Sequence, residues 1–380
     1  MSETAPADGK QVRQPSGAGD GGTSQKKRAV PGTGGGSGGR RLVTDGVVDQ
    51  HRRRWVRIGS DEAGRWFKLA DLASGDRAVF RELADGGLPI LTPGPRSALL
   101  REVEAFADYR PALVADRPGW TGTPGGTWHY VLGDGAVVGP PDVPSTEVIV
   151  AFGPDAKITQ RGKLGDWQAA MEPFVAGQTL PVSVLCLGLA PPLLTLAPPD
   201  FGNQLCEIAG PSGHGKSTLA FLAASVWAGD PARETLGAES WLTTLEAIDR
   251  QMAAHADALL VLDEANKAGS SRKKQRELIE KAIFRLSGTE GKARYATGVE
   301  VSGARLLTIS TSNEPLAQLL EVTPAVMQAL QARMVTFEVS SEGPLRAFDR
   351  VPHGFASERK AVEALLGAIA TRYGRFCCNV

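Results

Sequence analysis

Metal-ligating side chains are scarce and scattered. The 380 residues hold four cysteines and five histidines. No pair of cysteines has CxxC spacing, and the histidines form neither HxH nor HExxH. A zinc-built fold and a disulfide-stapled secreted scaffold are excluded, and reduced thiols are expected. Net charge is lacking too, with 42 Lys plus Arg against 42 Asp plus Glu. That balance excludes a chain-wide electrostatic grip on nucleic acid or acidic membranes and leaves only local basic patches. MSETAPADGKQVRQ contains no apolar h-region, so no signal peptide is expected. The strongest apolar run, Val182 to Ala197, is broken by Pro191 and Pro192 and is too short for a membrane span. These absences together predict a cytoplasmic protein without a membrane partner.

What is present is enough to build a core, since 42% of the residues are hydrophobic. At about 150 residues per domain, the length predicts two domains plus tails. Residues 1–41 read as a disordered, Gly-rich basic tail, because the first forty residues hold eleven glycines and no aromatic side chain. Residues 42–160 read as a small β-rich α+β domain. Trp55–Ile58 and Trp66–Leu69 have a strand's period of two, and Ser97–Phe106 looks helical. Gly-rich turns then divide Trp120, Trp128–Val131 and Ala136–Val138, whose aromatics suit either a sheet core or a base-stacking face. Residues 161–202 read as a helical connector, with Trp167, Met171 and Phe174 on one face. Over 203–345, apolar runs alternate with amphipathic segments, the pattern of a parallel sheet with covering helices. Residues 346–380 supply a C-terminal helix capped by Ser357.

The chemistry sits at the start of that α/β region. Gln204–Ala209 is a buried-strand pattern running directly into Gly210, Pro211, Ser212, Gly213, His214, Gly215, Lys216, Ser217 and Thr218, and then into a helical stretch. The spacing Gly-x4-Gly-Lys-Ser fits a P-loop. Glycines let backbone N–H groups close around phosphate oxygens, and the helix N-terminus adds partial positive charge. Lys216 can reach the β- and γ-phosphates of ATP, and Ser217 can bind Mg²⁺. The run Ala258–Leu262 ends in Asp263–Glu264, where Asp263 suits a second Mg²⁺ contact and Glu264 a general base. Arg305–Ser310 reads as another strand, followed by Thr311, Ser312 and Asn313. Asn313, or else Thr311, can place water against the γ-phosphate. Arg333 closes a helical pattern before the last strand and can act as an arginine finger, with Arg294 competing for the role.

In their order, GWTGTPGGTWHYVLGDGAVVG, the P-loop, LLVLDEAN, GTEGKARYA and LLTISTSNEP resemble the bacterial domain-of-unknown-function 927 family over roughly 110–340. The resemblance implies a helicase-like P-loop ATPase with an ASCE-type core similar to AAA+ proteins and superfamily-three helicases, from phage or mobile-element contexts. A ring-forming homo-oligomer is the expected assembly. In such rings Lys273, Lys274, Lys292 and Arg294 can face a pore and hold DNA phosphates. Two other functions share the P-loop: an ATP-gated regulatory module with slow turnover, and a small-molecule kinase.

Overall fold

The computed structural model describes residues 41–59, 64–140, 148–153, 161–198, 201–227, 237–288, 305–320, 323–340, 342 and 344–374. Residues 1–40 of the expected tail, Lys292, Arg294, Cys377 and Cys378 lie outside the described residues.

The period-two runs of the N-terminal part become strands β1 (Val43–Val48), β2 (Arg54–Ile58) and β3 (Arg65–Lys68). Helices α1 (Leu69–Ser74), α2 (Arg77–Asp85) and α3 (Pro93–Ala105) follow, then the short strand β4 (Arg110–Pro111). The sheet order is β3-β2-β1-β4. Alternation along the strands sends Val56, Ile58 and Phe67 towards Leu72, Phe80, Leu83, Leu99 and Val103 of the helices. Trp55 goes to the opposite face with Val47, Val114 and Ile149. The region is more helical than its sequence pattern suggests. Leu69 opens α1 rather than closing a strand, and α2 is an unanticipated helix whose buried stripe is only Phe80 and Leu83. Its start is fixed by Asp76, which accepts the Ala78 N–H at 2.8 Å.

Strands β5 (Leu113–Ala115), β6 (Gly119–Gly122), β7 (Trp128–Val131), β8 (Val137–Val138) and β9 (Val148–Val150) form two small sheets, β5-β9 and β6-β7-β8. Their aromatics are core rather than a base-stacking face. Trp120 and Tyr130 meet edge-on at 5.2 Å, Tyr130 reaches Trp227 at 6.0 Å, and among these only Trp128 is exposed. Two helices, α4 (Leu164–Val175) and α5 (Thr179–Leu189), and a 3-10 turn over Pro191–Leu196 lead into the second half.

There the elements are β10 (Gln204–Ala209), α6 (Lys216–Ala224), β11 (Glu239–Ser240), α7 (Leu245–Ala254), β12 (Leu259–Asp263) and α8 (Arg272–Ser287). They continue through β13 (Leu307–Ser312), α9 (Leu316–Leu319), α10 (Pro324–Gln331), β14 (Met334–Glu338) and α11 (Glu358–Ile369). Five parallel strands stand in the order β11-β12-β13-β10-β14. Both faces of this sheet are covered. Cys206, Ile208, Leu259, Val261 and Ile309 pack under α4, α5, α6 and α11, whereas Leu205, Leu260 and Leu262 pack under α7, α8 and α10. The consequence for function is positional: β13 lies between β10 and β12, so the C-terminal ends of all three strands open on one edge. Among the described residues, no helix is long and apolar enough to cross a membrane.

One buried carboxylate ties the small sheet to the large one. Asp257, just before β12, accepts the Trp120 N–H at 3.0 Å and the Thr195 hydroxyl at 2.8 Å, and its own carbonyl accepts the Tyr130 hydroxyl at 3.0 Å. Gly119 makes the approach feasible, because a Cβ there would stand 2.5 Å from Asp257 Oδ2 at a φ of +112°.

Candidate active site

The segment between β10 and α6 turns on glycine. Gly210, Gly213 and Gly215 have φ of 149°, 83° and 80°. At Gly210 the need is steric as well, since a Cβ would lie 2.0 Å from the Val339 carbonyl oxygen beyond β14. The loop wraps a cavity of about 810 Å³ lined by Ser212 to Thr218, Glu264, Asn266, Thr311 to Asn313, and residues from the 339–348 segment and α11. Among the residues anticipated for the site, Lys216, Ser217, Glu264, Thr311 and Asn313 therefore come together in the cavity wall, and Asp263 joins them through hydrogen bonds from Ser217 and Thr311.

Lys216 is the first residue of α6 and is 8% exposed. Its Nζ donates to the Pro211 carbonyl at 2.9 Å and to Asn313 Oδ1 at 3.3 Å. Burial lowers its pKa, against the pull of Asp263 and Glu264, which raise it. Ser217 Oγ donates to Asp263 Oδ1 at 3.0 Å, and Thr311 Oγ1 donates to the same oxygen at 2.5 Å. Thr311 also accepts the Glu264 N–H at 2.9 Å. This hydroxyl thus fixes the turn at which Glu264, with φ 62°, leaves the sheet. The Glu264 side chain is 48% exposed and pairs with Lys267.

β13 runs to Ser312, two residues further than its sequence pattern suggests. Thr311 and Ser312 are consequently buried strand residues and Asn313 is the first residue past the edge. Two of the buried polar side chains near the end of this strand are paired: Ser310 Oγ accepts the Trp241 indole N–H at 2.9 Å and Ser312 Oγ donates to Glu207 Oε1 at 2.6 Å. Glu207, wholly buried on β10, also accepts the Leu316 N–H at 2.7 Å and the Thr336 hydroxyl at 3.0 Å. It joins β10, β13 and β14 directly behind the cavity. Burial raises its pKa, although each of these hydrogen bonds acts to lower it.

Arg333 does not line the cavity. It stands after α10, donates to the Ala329 carbonyl at 2.7 Å and lies 5.3 Å from the centre of the Phe284 ring. Arg346 and Arg359 line the cavity instead, at its open side. Neither belongs to a recognisable sequence pattern, and no signal in the chain would have singled them out. Asn266 was missed for a different reason. Its side chain bonds to Asn313, 47 residues away, a pairing that only the β12–β13 alignment creates. Lys273 and Lys274 lie in the first turn of α8 rather than in a loop before it, and both are exposed.

An oxygen-only pair comes from two elements: the Ser217 hydroxyl in the cavity wall and the Asp263 carboxylate bonded to it. Among the described residues there is no group of three or more His, Cys, Asp or Glu that could cage a metal ion. The pair suits Mg²⁺, which keeps several waters and takes one or two protein oxygens plus substrate phosphates.

The family described as "Domain of unknown function (DUF927)" matches residues 42–302. No curated protein matches the chain. Among solved structures, "SCCmec type IV Cch - active helicase" is similar with a TM-score of 0.59 at 18% identity, covering 88% of this chain and 59% of that one. The apo NrS-1 C terminal region has a TM-score of 0.33 at 11% identity, covering 88% of this chain and 66% of that one. The FIGL-1 AAA domain in complex with ADP has a TM-score of 0.23 at 17% identity, covering 47% and 54%. The likeness to the helicase is one of fold, and this chain spans 59% of the helicase's length. With more than half of its residues matched, including the β10–α6 loop and the Asp263 strand, the chain belongs to the domain of unknown function (DUF927) family.

Proposed function

We propose that the chain is a Mg²⁺-dependent ATPase with a helicase-like, AAA+-type core that couples turnover to DNA. The observation carrying this reading is the meeting of Lys216, Ser217, Asp263, Thr311 and Asn313 around one glycine-lined cradle at the C-terminal sheet edge. Backbone N–H groups of 212–218 and the N-terminus of α6 receive the phosphates, and Lys216 adds a point charge. Ser217 and Asp263 would hold Mg²⁺, which supplies charge neutralisation at the phosphates. Asn313 and Glu264 flank the space beside Lys216 where an attacking water is held; Asn313 orients it and Glu264 takes its proton. Glu264 pairs with Lys267 at an exposed site, and such pairs are worth about 0–1 kcal/mol, so the carboxylate turns to water at little cost.

The proposed assembly is a homo-oligomeric ring in the cytoplasm, with Arg333 serving a neighbouring subunit. Lys273 and Lys274, together with Lys292 and Arg294, are the proposed DNA contacts. Lys216→Ala tests the cradle. Titration of the folded variant with a fluorescent ATP analogue is expected to show most of the affinity lost, and unchanged binding would overturn the assignment.

A further inference from the structure

A second set of polar contacts leaves the cavity at Asn313. The Asn313 N–H donates to Asn266 Oδ1 at 2.8 Å, and Asn266 is itself exposed in the cavity wall. Asn266 belongs to a single 3-10 turn, Ala265–Lys267. The carbonyls of Ala265 and Asn266 in that turn accept from Gln275 Nε2 at 3.0 and 3.2 Å. Gln275 lies near the start of α8, one residue past Arg272, Lys273 and Lys274. Hydrogen bonds and the short covalent links within Asn266 and Asn313 thus connect Gln275 of α8, through the 3-10 turn, to Asn313, whose Oδ1 accepts from Lys216 Nζ.

Arg272 adds a second tie to the same place, its guanidinium standing 4.0 Å from the carboxylate of Glu314, the neighbour of Asn313.

We propose that Asn266 and Gln275 are positioning residues that hold Asn313 against Lys216. The inference rests on the reading of the cavity as a nucleotide-hydrolysing site. Asn266 sets the Asn313 backbone, and Gln275 sets the turn carrying Asn266.

The test is steady-state ATP turnover and ATP-analogue affinity of the full chain with Mg²⁺. It compares wild type, Asn266→Ala, Asn266→Asp, Gln275→Ala and Lys216→Ala. Asn266→Ala is expected to lower kcat about tenfold, the scale of one lost hydrogen bond, with affinity unchanged within about twofold. Asn266→Asp keeps the oxygen that accepts from Asn313 and should restore kcat. A side chain serving the fold alone would not give that split or that rescue. Gln275→Ala should lower kcat in the same direction, with affinity likewise unchanged. Wild-type kcat in Asn266→Ala, failure of Asn266→Asp to restore it, or wild-type kcat in Gln275→Ala would each overturn the proposal. If wild type and Lys216→Ala alike neither bind nor turn over ATP, the nucleotide reading fails and takes this inference with it. If wild type is active and Lys216→Ala is dead, the cavity reading stands whatever Asn266 does.

Discussion

Glu207 shows what a single side chain contributes behind the cavity. A carboxylate wholly buried in a central strand is costly unless paired, and here Ser312, Leu316 and Thr336 all donate to it. Burial nevertheless dominates and pushes its pKa up. As pH rises, the unfolded chain therefore releases this proton before the folded chain does. The stability associated with Glu207 is full below the ordinary glutamate value and falls as pH climbs towards the raised value. Glu207→Gln keeps an acceptor for Ser312 and Leu316 and offers an N–H to Thr336. Urea unfolding at a series of pH values should show the decline above the ordinary glutamate range flattened in the variant. Parallel pH curves for the two proteins would contradict this. Nothing in QLCEIA distinguishes Glu207 from a strand residue facing solvent, because its three partners come from segments 105, 109 and 129 residues away. Lys216, Ser217 and Asp263 were legible because their spacing and their strand ends lie within short stretches of chain.

At the scale of elements, strands and helices with strong apolar periodicity were readable, and their ends were not. β10, β12 and the face carrying Trp167, Met171 and Phe174 appear where the pattern puts them. β13 extends to Ser312 because pairing with β10 continues through Ile208–Thr311 and Ala209–Ser312, contacts that polar residues alone do not announce. α6 ends at Ala224, since Val226 and Trp227 already turn into the core and the Trp227 indole donates to the Gly188 carbonyl. The joint between the small β6-β7-β8 sheet and the large sheet rests on Asp257, an ordinary residue in sequence. Asp257→Ala strands the Trp120 N–H and the Thr195 hydroxyl, at a cost of about 1–3 kcal/mol for each group that stays buried and unpaired. Chemical denaturation should show a lower midpoint, and hydrogen exchange should show β6 and β7 losing protection before β10 and β13. Unchanged stability would mean that Asp257 is not the joint.

At the scale of the molecule, the proposed ring makes a prediction about Arg333. In one chain this guanidinium rests on Phe284 of α8, outside the cavity that Arg346 and Arg359 line. A head-to-tail interface whose rotation closes would carry it to the next subunit's cradle. Arg333→Ala should then keep ATP binding and lose most turnover. A mixture of Arg333→Ala and Glu264→Gln subunits should regain part of it through hybrid sites that contain both an intact arginine and an intact glutamate. Arginine fingers are worth about 10³–10⁵ in turnover where they act in trans, so even partial recovery is measurable. Full activity of Arg333→Ala would contradict the arrangement. Sequence order alone could place Arg333 beside the last strand, but which cavity a residue serves depends on the interface between subunits.

The central claim is that this cavity hydrolyses ATP with Glu264 as the base. Turnover and binding of Mg·ATP by Glu264→Gln, set beside the wild-type chain, test it most directly. The account predicts equal binding with turnover lowered by about 10²-fold or more, the scale of a lost general base. Wild-type turnover in Glu264→Gln would contradict it.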